Sequence, residues 1–305
     1  MTRYILKRIL SAIITIWFIM TLTFILMHSI PGDPFTSERA MDETVKKAIY
    51  AKYGFDKPLY QQYFTYLGNF LKGDFGVSFK KKGLTVVDII ESGFPKSANI
   101  GIIAAIFIIG VGVSAGIIAA LKQNKIFDRT TMFLATLGAT IPNFVIATGY
   151  LYIFSKKLSW VPAFGVDSFL GYIGPAIAIG VFSLSFITRL TRSSLLEVLQ
   201  QDYIRTARAK GLSEGVVIVK HGLRNALIPI VTFIGPMIAG ILTGSFVAER
   251  VFGIAGIGQL FTTSIQSRDY TMIMGVTVFF AVFLVIAVLV VDIVYVIIDP
   301  RIKFE

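Results

Sequence analysis

The sequence predicts an all-α integral membrane protein with six transmembrane helices, and three observations carry that reading. First, 55% of the 305 residues are hydrophobic and only 15% are charged, where a soluble domain carries about a quarter charged. Second, six stretches reach the roughly 20 apolar residues needed to cross a hydrocarbon core of about 30 Å. They are Ile9–Ile30, Ser97–Leu121, Thr130–Ser155, Ser168–Thr188, Asn225–Ala248 and Tyr270–Ile298, and only the last holds an interior charge, Asp292. Third, the basic residues are sorted between the connecting segments. With the N-terminus inside, segments 1–8, 122–129, 189–224 and 299–305 carry fifteen Lys and Arg, and the short outer loops 156–167 and 249–269 carry four. The ten in the long outer segment 31–96 count little, because long loops translocate regardless of charge. Both termini are therefore expected in the cytoplasm. The net charge of +11 reports topology and gives no reason to expect a nucleic-acid partner.

The expected helices are about 9–30, 98–121, 131–154, 170–188, 228–248 and 274–298. Arg3, Lys7 and Arg8 before the first apolar run resemble a signal peptide. That run is 22 residues long and is followed by "HSIPGDP", without a small-x-small cleavage site, so a retained first span is expected. Segment 31–96 is the one sizeable extracytoplasmic part. It opens on the turn signal "PGDP". Asp42 is suited to cap a helix running to Tyr53, and Pro58 suits the first turn of a second. Leu59, Tyr63, Tyr66, Leu67 and Phe70 recur on one face of that second helix, as core, as an interfacial belt or as a ligand cage. Gly73 fits just past its end.

In the second span Gly112 and Gly116, and in the fifth Gly240 and Gly244, stand four apart, the spacing that lets helix backbones approach closely in lipid. Pro142 in the third span and Pro229 and Pro236 in the fifth remove backbone donors. Such kinks survive where neighbours or a water-filled cavity satisfy the freed carbonyls. The last five spans form a core over 97–299, and a cytoplasmic tail, 300–305, is expected after it.

Between the fourth and fifth spans lies a polar island, "DYIRTARAKGLSEG", residues 202–215 of the inner loop 189–224. Asp202 is a suitable N-cap for a helix of Tyr203 to Lys210. Gly211 is a suitable stop, and Leu212 is the apolar residue that a Schellman end prefers. Ser213 then caps a second helix with Glu214 in its first turn. Tyr203, Ala207 and Lys210 fall along one side, and Ile204, Arg208 and Leu212 along another. A short helix with small residues at Ala207 and Ala209 reads either as a docking knob or as a solvated basic loop.

Catalytic sets are missing from the sequence. The nearest approach to a phosphate-cradling loop, around Gly68 and Gly73, has Asp74 where the lysine belongs. With two histidines, His28 and His221, neither a His-Glu-x-x-His nor a His-x-x-Glu-His pair occurs, and no Gly-x-Ser-x-Gly elbow is present. With no cysteine, a disulfide, a Cys-ligated zinc and a Cys nucleophile are all impossible. Asp292 is the one carboxylate inside an expected span. It reads either as a structural group bonded to a neighbour helix or as the coupling group of a stand-alone proton-coupled carrier or channel.

The stretch "RTARAKGLSEGVVIVKHGLRNALIP", 205–229, resembles the cytoplasmic loop of binding-protein-dependent ABC importer permeases, in their peptide-uptake branch. That superfamily's signature runs Glu-Ala-Ala, three residues, Gly, nine residues, Ile-x-Leu-Pro. Here Arg205, Thr206 and Ala207 stand at the first three positions and Gly211 at the glycine. His221, Gly222, Leu223 and Arg224 stand at the last four, and the proline comes later, at Pro229. The resemblance extends over "ILKRILSAIITIWFIMTLTFILMHSIPGDPF", "YLGNFLKGDFGVSF", "SAGIIAALKQN" and "VYVIIDPRI". It also covers "VFGIAGIGQL", with Ala255 where the family usually has proline. The whole chain resembles the first of two membrane subunits of an oligopeptide permease, with dipeptide and nickel or metal-chelate importers as close alternatives.

The resemblance implies a type I ABC importer permease fold in a bacterial cytoplasmic membrane, in contact with membrane lipid and without a catalytic site or cofactor of its own. It implies a second homologous permease, two ATPase subunits that bind ATP and Mg, and an extracytoplasmic binding protein that delivers the peptide substrate. Segment 201–215 then couples to the ATPases. Tyr203, Ile204, Arg205, Thr206, Ala207, Arg208, Ala209 and Lys210 would form the docking helix, and Gly211 would permit the sharp turn.

Overall fold

The computed structural model describes residues 2–29, 47, 50, 51, 54–81 and 83–298, with side chains described from residue 6 to residue 290 of these. The "PGDP" turn, the Asp42 cap with the body of its helix, and the tail 300–305 lie outside the described residues, as does the side chain of Asp292.

Among the described residues the chain is helical, with one isolated bridge between Val77 and Thr85. Four helices are long and apolar enough to cross a membrane, and six spans result if each of two bent pairs counts as one. The first span is α1, Thr2–Ser29. Helix α2, Leu59–Leu71, starts after Pro58, which occupies the N-cap instead of the first turn. It stops at Lys72, with Gly73 at φ +74° just beyond. Its aromatic face lies on α1: Tyr63 packs edge-on against Phe24 at 5.3 Å, its hydroxyl lies 2.6 Å from Thr21 Oγ1, and Gln62 meets His28 at 3.1 Å. Tyr63 and Tyr66 join a cluster with Phe24, Met27, Tyr270 and Ile273, so that part of the stripe is packing. Leu59 is exposed.

The helix that carries the second span starts twelve residues before the expected residue 98. Helix α3 runs Val86–Leu121, 36 residues, and so about 54 Å. A reciprocal capping box decides the start: Thr85 Oγ1 accepts from the Asp88 amide and Asp88 accepts from the Thr85 amide. The charges at Asp88, Glu91 and Lys96 all lie in its first eleven residues, ahead of the uncharged run from Ser97 to Leu121.

The third span is not the continuous helix expected over 131–154. Helix α4, Ile126–Thr140, and helix α5, Asn143–Tyr150, meet at 105°. Pro142 lacks an amide hydrogen and forces Ile141 into extended geometry, at φ −77° and ψ 125°. Helix α5 continues as a π-helix, Leu151–Lys157. Helix α6, Phe169–Leu199, extends the fourth span eleven residues past Thr188.

Helices α3 and α6 carry the core. A Cβ added at Gly116 would lie 2.6 Å from Thr191 Cβ, and one at Gly112 would lie 3.1 Å from Ile187 Cγ2. The glycine pair therefore does bring two backbones together. Ile100, Ala104, Ile108, Ile187, Ile230 and Phe252 form the central apolar cluster around this seam.

Helix α7 is Asp202–Ala209 and α8 is Glu214–Val216. A π-helix, Val217–Leu223, leads on to α9, Arg224–Ala226. The run Glu214–Ala226 then bends by 49° into α10, Ile228–Leu242. The fifth span thus ends six residues before the expected residue 248. Thr243 turns its hydroxyl back on the Gly240 carbonyl at 2.7 Å, and Gly244 takes φ +87°. Gly240 and Gly244 are consequently not a helix-packing pair, and a Cβ at Gly240 would meet nothing within 4 Å.

Two short helices follow, α11 at Phe246–Val251 and α12 at Ile257–Ser267, before α13 at Tyr270–Ile298. The bundle thus has one end carrying residues 54–85 and 243–269, the cap end. The other carries 122–128 and 199–226, the basic end.

Candidate functional site

At the basic end, α6 delivers the chain to Leu199, and α7 folds back onto its own neighbours. Ile204 and Ala207, three residues apart, share one helix face and are buried against Val217 and Leu199. Ala207 therefore turns inward with Ile204, while Tyr203 and Lys210, its other neighbours by helical spacing, are exposed. The N-cap is Gln201; Asp202 is the first helical residue, with an exposed side chain 3.6 Å from Arg205. Lys210 is the C-cap.

The end of α7 is a Schellman turn. The Gly211 amide donates to the Arg208 carbonyl at 2.9 Å and the Leu212 amide to the Ala207 carbonyl at 3.4 Å. Gly211 sits at φ +76°, the left-handed region that glycine adopts without steric cost. Across the turn Arg208 is bidentate on Glu214, at 2.7 and 3.3 Å. Asn225 Nδ2 donates to the Tyr203 hydroxyl at 2.8 Å, which ties α7 to the segment that leads into α10.

Of the nine expected coupling residues, Ile204 and Ala207 face inward. Tyr203, Arg205, Thr206, Arg208, Ala209, Lys210 and Gly211 are exposed. The exposed face is short and basic, with Arg205, Arg208 and Lys210 on it.

Three carboxylate nodes escaped the sequence reading. Asp128, buried at the basic end, takes Arg192 of α6 in a bidentate pair, with Nη2 to Oδ2 at 2.8 Å. Asp128 also accepts from the Asn124 amide at 2.9 Å, so the turn before α4 and the end of α6 are fastened together. At the cap end, Glu249 is buried at 1% exposure. Its Oε1 accepts from Ser97 Oγ at 2.7 Å, its Oε2 accepts from the Gln259 amide at 2.7 Å, and Ser97 Oγ itself accepts from the Ile257 amide at 2.9 Å. Burial pushes the Glu249 carboxyl above its usual range, and hydrogen bonds from Ser97 and the Gln259, Ser245 and Gly258 amides offset part of that rise. Asp269, also buried, accepts from the Ser78 hydroxyl and from the Phe79 amide at 3.2 Å, and it caps α13 through the Met272 amide at 3.2 Å.

Gly244, together with Gly256 and Gly258 of "VFGIAGIGQL", was the available signal for Glu249. Added Cβ atoms at Gly244 and Gly256 would each lie 2.5 Å from its carboxyl group, and Gly258 is also close. Among the described residues no group of three or more His, Cys, Asp or Glu side chains is placed to hold a metal ion.

Residues 112–304 match the family model described as "Binding-protein-dependent transport system inner membrane component", and residues 1–101 match its N-terminal companion. The chain belongs to this family. It is the membrane component of a transport system, not an enzyme. It is 48% identical over 305 residues to the dipeptide transport system permease protein DppB of Bacillus subtilis, covering 100% of this chain and 99% of that protein. It is 44% identical to the oligopeptide transport system permease protein OppB of Haemophilus influenzae and 42% identical to OppB of Escherichia coli K12, each over the full length of both chains. Among solved structures, a chain of the inward-facing MetNI methionine ABC transporter superposes with a TM-score of 0.52 at 15% identity, over 71% of this chain and 97% of that one. The fold is that of a type I ABC importer permease.

Proposed function

We propose that this chain is one of two permease subunits of an ATP-driven, binding-protein-dependent importer of short peptides in a bacterial cytoplasmic membrane. The observation that carries the reading is the basic turn at 202–216. Its apolar face is spent on its own chain, its cationic face is left open, and the Tyr203–Asn225 bond links it to the fifth span. Full-length likeness to permeases named for dipeptides and oligopeptides supports the substrate class. The excess of Lys and Arg at the basic end supports a cytoplasmic position for it, and hence for both termini.

In this reading two ATPase subunits, which bind ATP and Mg, dock at the basic end. A second permease completes the path, and an extracytoplasmic binding protein delivers peptide to the cap end. Closure of the ATPases pushes α7, and the push passes through Ile204 and Ala207 to Val217 and through Tyr203 to Asn225. The exposed residues Tyr203, Arg205, Thr206, Arg208, Ala209, Lys210 and Gly211 are the contact surface. Family membership replaces the stand-alone carrier built on Asp292.

The test is purification of the tagged chain from membranes in mild detergent, followed by reconstitution and uptake of peptides of graded length. Co-purification of an ATPase and a second permease, with uptake that competes with short peptides, is the expected result. Recovery of no ATPase overturns the assembly. Competition by metal chelates and not by peptides overturns the substrate.

A further inference from the structure

The segment between the fifth and sixth spans, 243–269, is pinned at both ends by buried carboxylates. Glu249 holds its first part to α3 through Ser97 and closes over the N-terminus of α12. A carboxylate at the amide end of an 11-residue helix is favourably placed, because those amides lack intrahelical partners. Asp269 holds the far end to residues 78 and 79, and its own helix α13 starts on it. Gly93 of α3 makes room for the same contact, since a Cβ there would lie 2.6 Å from Leu260 and 3.4 Å from the Ile257 nitrogen.

Helix α10 is bounded differently. Its lead-in bends by 49° at one end, and at the other the chain turns through Thr243 and Gly244, the latter at φ +87°. The exit of α10 lies against the clasp, since a Cβ at Gly244 would be 2.5 Å from Glu249 Oε1 and 3.1 Å from Ser97 Cβ, whereas the bend at its entry is far along the chain from either carboxylate.

We propose that Glu249 and Ser97 are positioning residues for transport: their clasp welds segment 243–269 to α3, so that α3 and this segment move as one body through the transport cycle. The proposal rests on the reading of the chain as an importer permease. Two hydrogen bonds, from the Ser97 hydroxyl and from the Gln259 amide, are lost together when the carboxylate is removed, leaving both donors unpaired in a buried site. The Glu249→Gln side chain can keep the contact: its carbonyl oxygen accepts from the Gln259 amide, and its amide donates to Ser97 Oγ.

The chain has no cysteine, so paired labels are straightforward to place. A255C and E91C are both at exposed positions, one on the segment and one on α3. In the assembled transporter with cysteine-free partner subunits, spin labels at these sites are expected to give one narrow distance distribution, unchanged between nucleotide-free and ATP-trapped states. Adding E249A is expected to broaden it and to lower peptide uptake about tenfold while ATP hydrolysis persists; E249Q is expected to restore both within about threefold. A distance in the unsubstituted clasp that changes between nucleotide states overturns the proposal. So does an E249A transporter with unaltered distances and uptake. Should E249A fail to reach the membrane, S97A carries the same test, because it removes the bridging hydroxyl and leaves the carboxylate. The distance measurement is read whatever the cargo, so failure of the weld and failure of the peptide reading are separate results.

Discussion

Gly211 offers a graded test of how the basic end transmits force. Its φ of +76° is left-handed, and a Cβ built there meets nothing within 4 Å. Substitution costs therefore come from backbone conformation and not from crowding. An Asn, which tolerates this region, should cost well under 1 kcal/mol, an Ala about 1 kcal/mol, and a β-branched Val about 2 kcal/mol. Proline adds a second loss. Its ring cannot reach positive φ, and it removes the amide that donates to Arg208, so the Schellman turn fails at a cost of about 3 kcal/mol or more. One kilocalorie of strain in the turn shifts its folded population about fivefold. The assay is peptide uptake per ATP hydrolysed by the reconstituted transporter, at matched levels of the permease in the membrane. The expected order is Gly, Asn, Ala, Val, Pro, with uptake lost before ATP hydrolysis. An Asn variant as damaged as Val, or a Val variant that transports normally, would refute a role for the left-handed turn. A ranking by side-chain volume among residues equally tolerant of positive φ would point instead to a crowded partner surface.

Four further outcomes follow from the same geometry. Ala207→Leu overpacks a buried position between Val217 and Leu199 at a cost of about 1–3 kcal/mol, and uptake should fall more than ATP hydrolysis. Tyr203→Phe keeps the ring and loses the bond from Asn225; uptake should drop by no more than about fivefold, and Asn225→Ala in the same chain should add nothing, since both remove one bond. Arg192→Ala leaves Asp128 buried without its cation, and the thermal midpoint in detergent should fall, consistent with a cost of about 2 kcal/mol. Burial raises the Glu249 carboxyl above 4.5, so the folded chain holds this proton where the unfolded chain releases it. Stability from this group is thus full below pH 4.5 and is lost as pH rises through the raised value; thermal unfolding of the E249Q chain should lack that decline.

Long apolar runs made the span order legible, because a run of twenty residues without charge has few other uses. The turn at Gly211 was legible for a local reason: a helix-stopping glycine, an apolar residue after it and a capping serine all act within a few residues. Helix ends were less legible. At Val86 a capping box overrode the charges at Asp88, Glu91 and Lys96, and at Leu242 a threonine and a left-handed glycine stopped an otherwise apolar helix. Pro142 announced a kink, but its angle depends on what the two arms pack against. Which face of α7 turns inward was set by Val217 and Leu199, ten residues or more from Ala207 and eight from it respectively, and helical spacing alone cannot choose between faces. Glu249 was the largest omission. Its partners stand at positions 97, 257 and 259, so only the folded chain brings them to one carboxylate.

The bent third span has a consequence for how the protein is made. During insertion Thr130–Ser155 presents a run of apolar residues long enough to be accepted as a single crossing. In the folded chain α4 has 15 residues, about 22 Å, and α5 with its π-helical continuation to Lys157 is no longer than that, so neither arm alone bridges the hydrocarbon. The 105° bend therefore has to be completed against α6, where Gly138 lies on Ser185 and Val181. The shape of the third span is thus held by α6, a helix that follows it in the sequence.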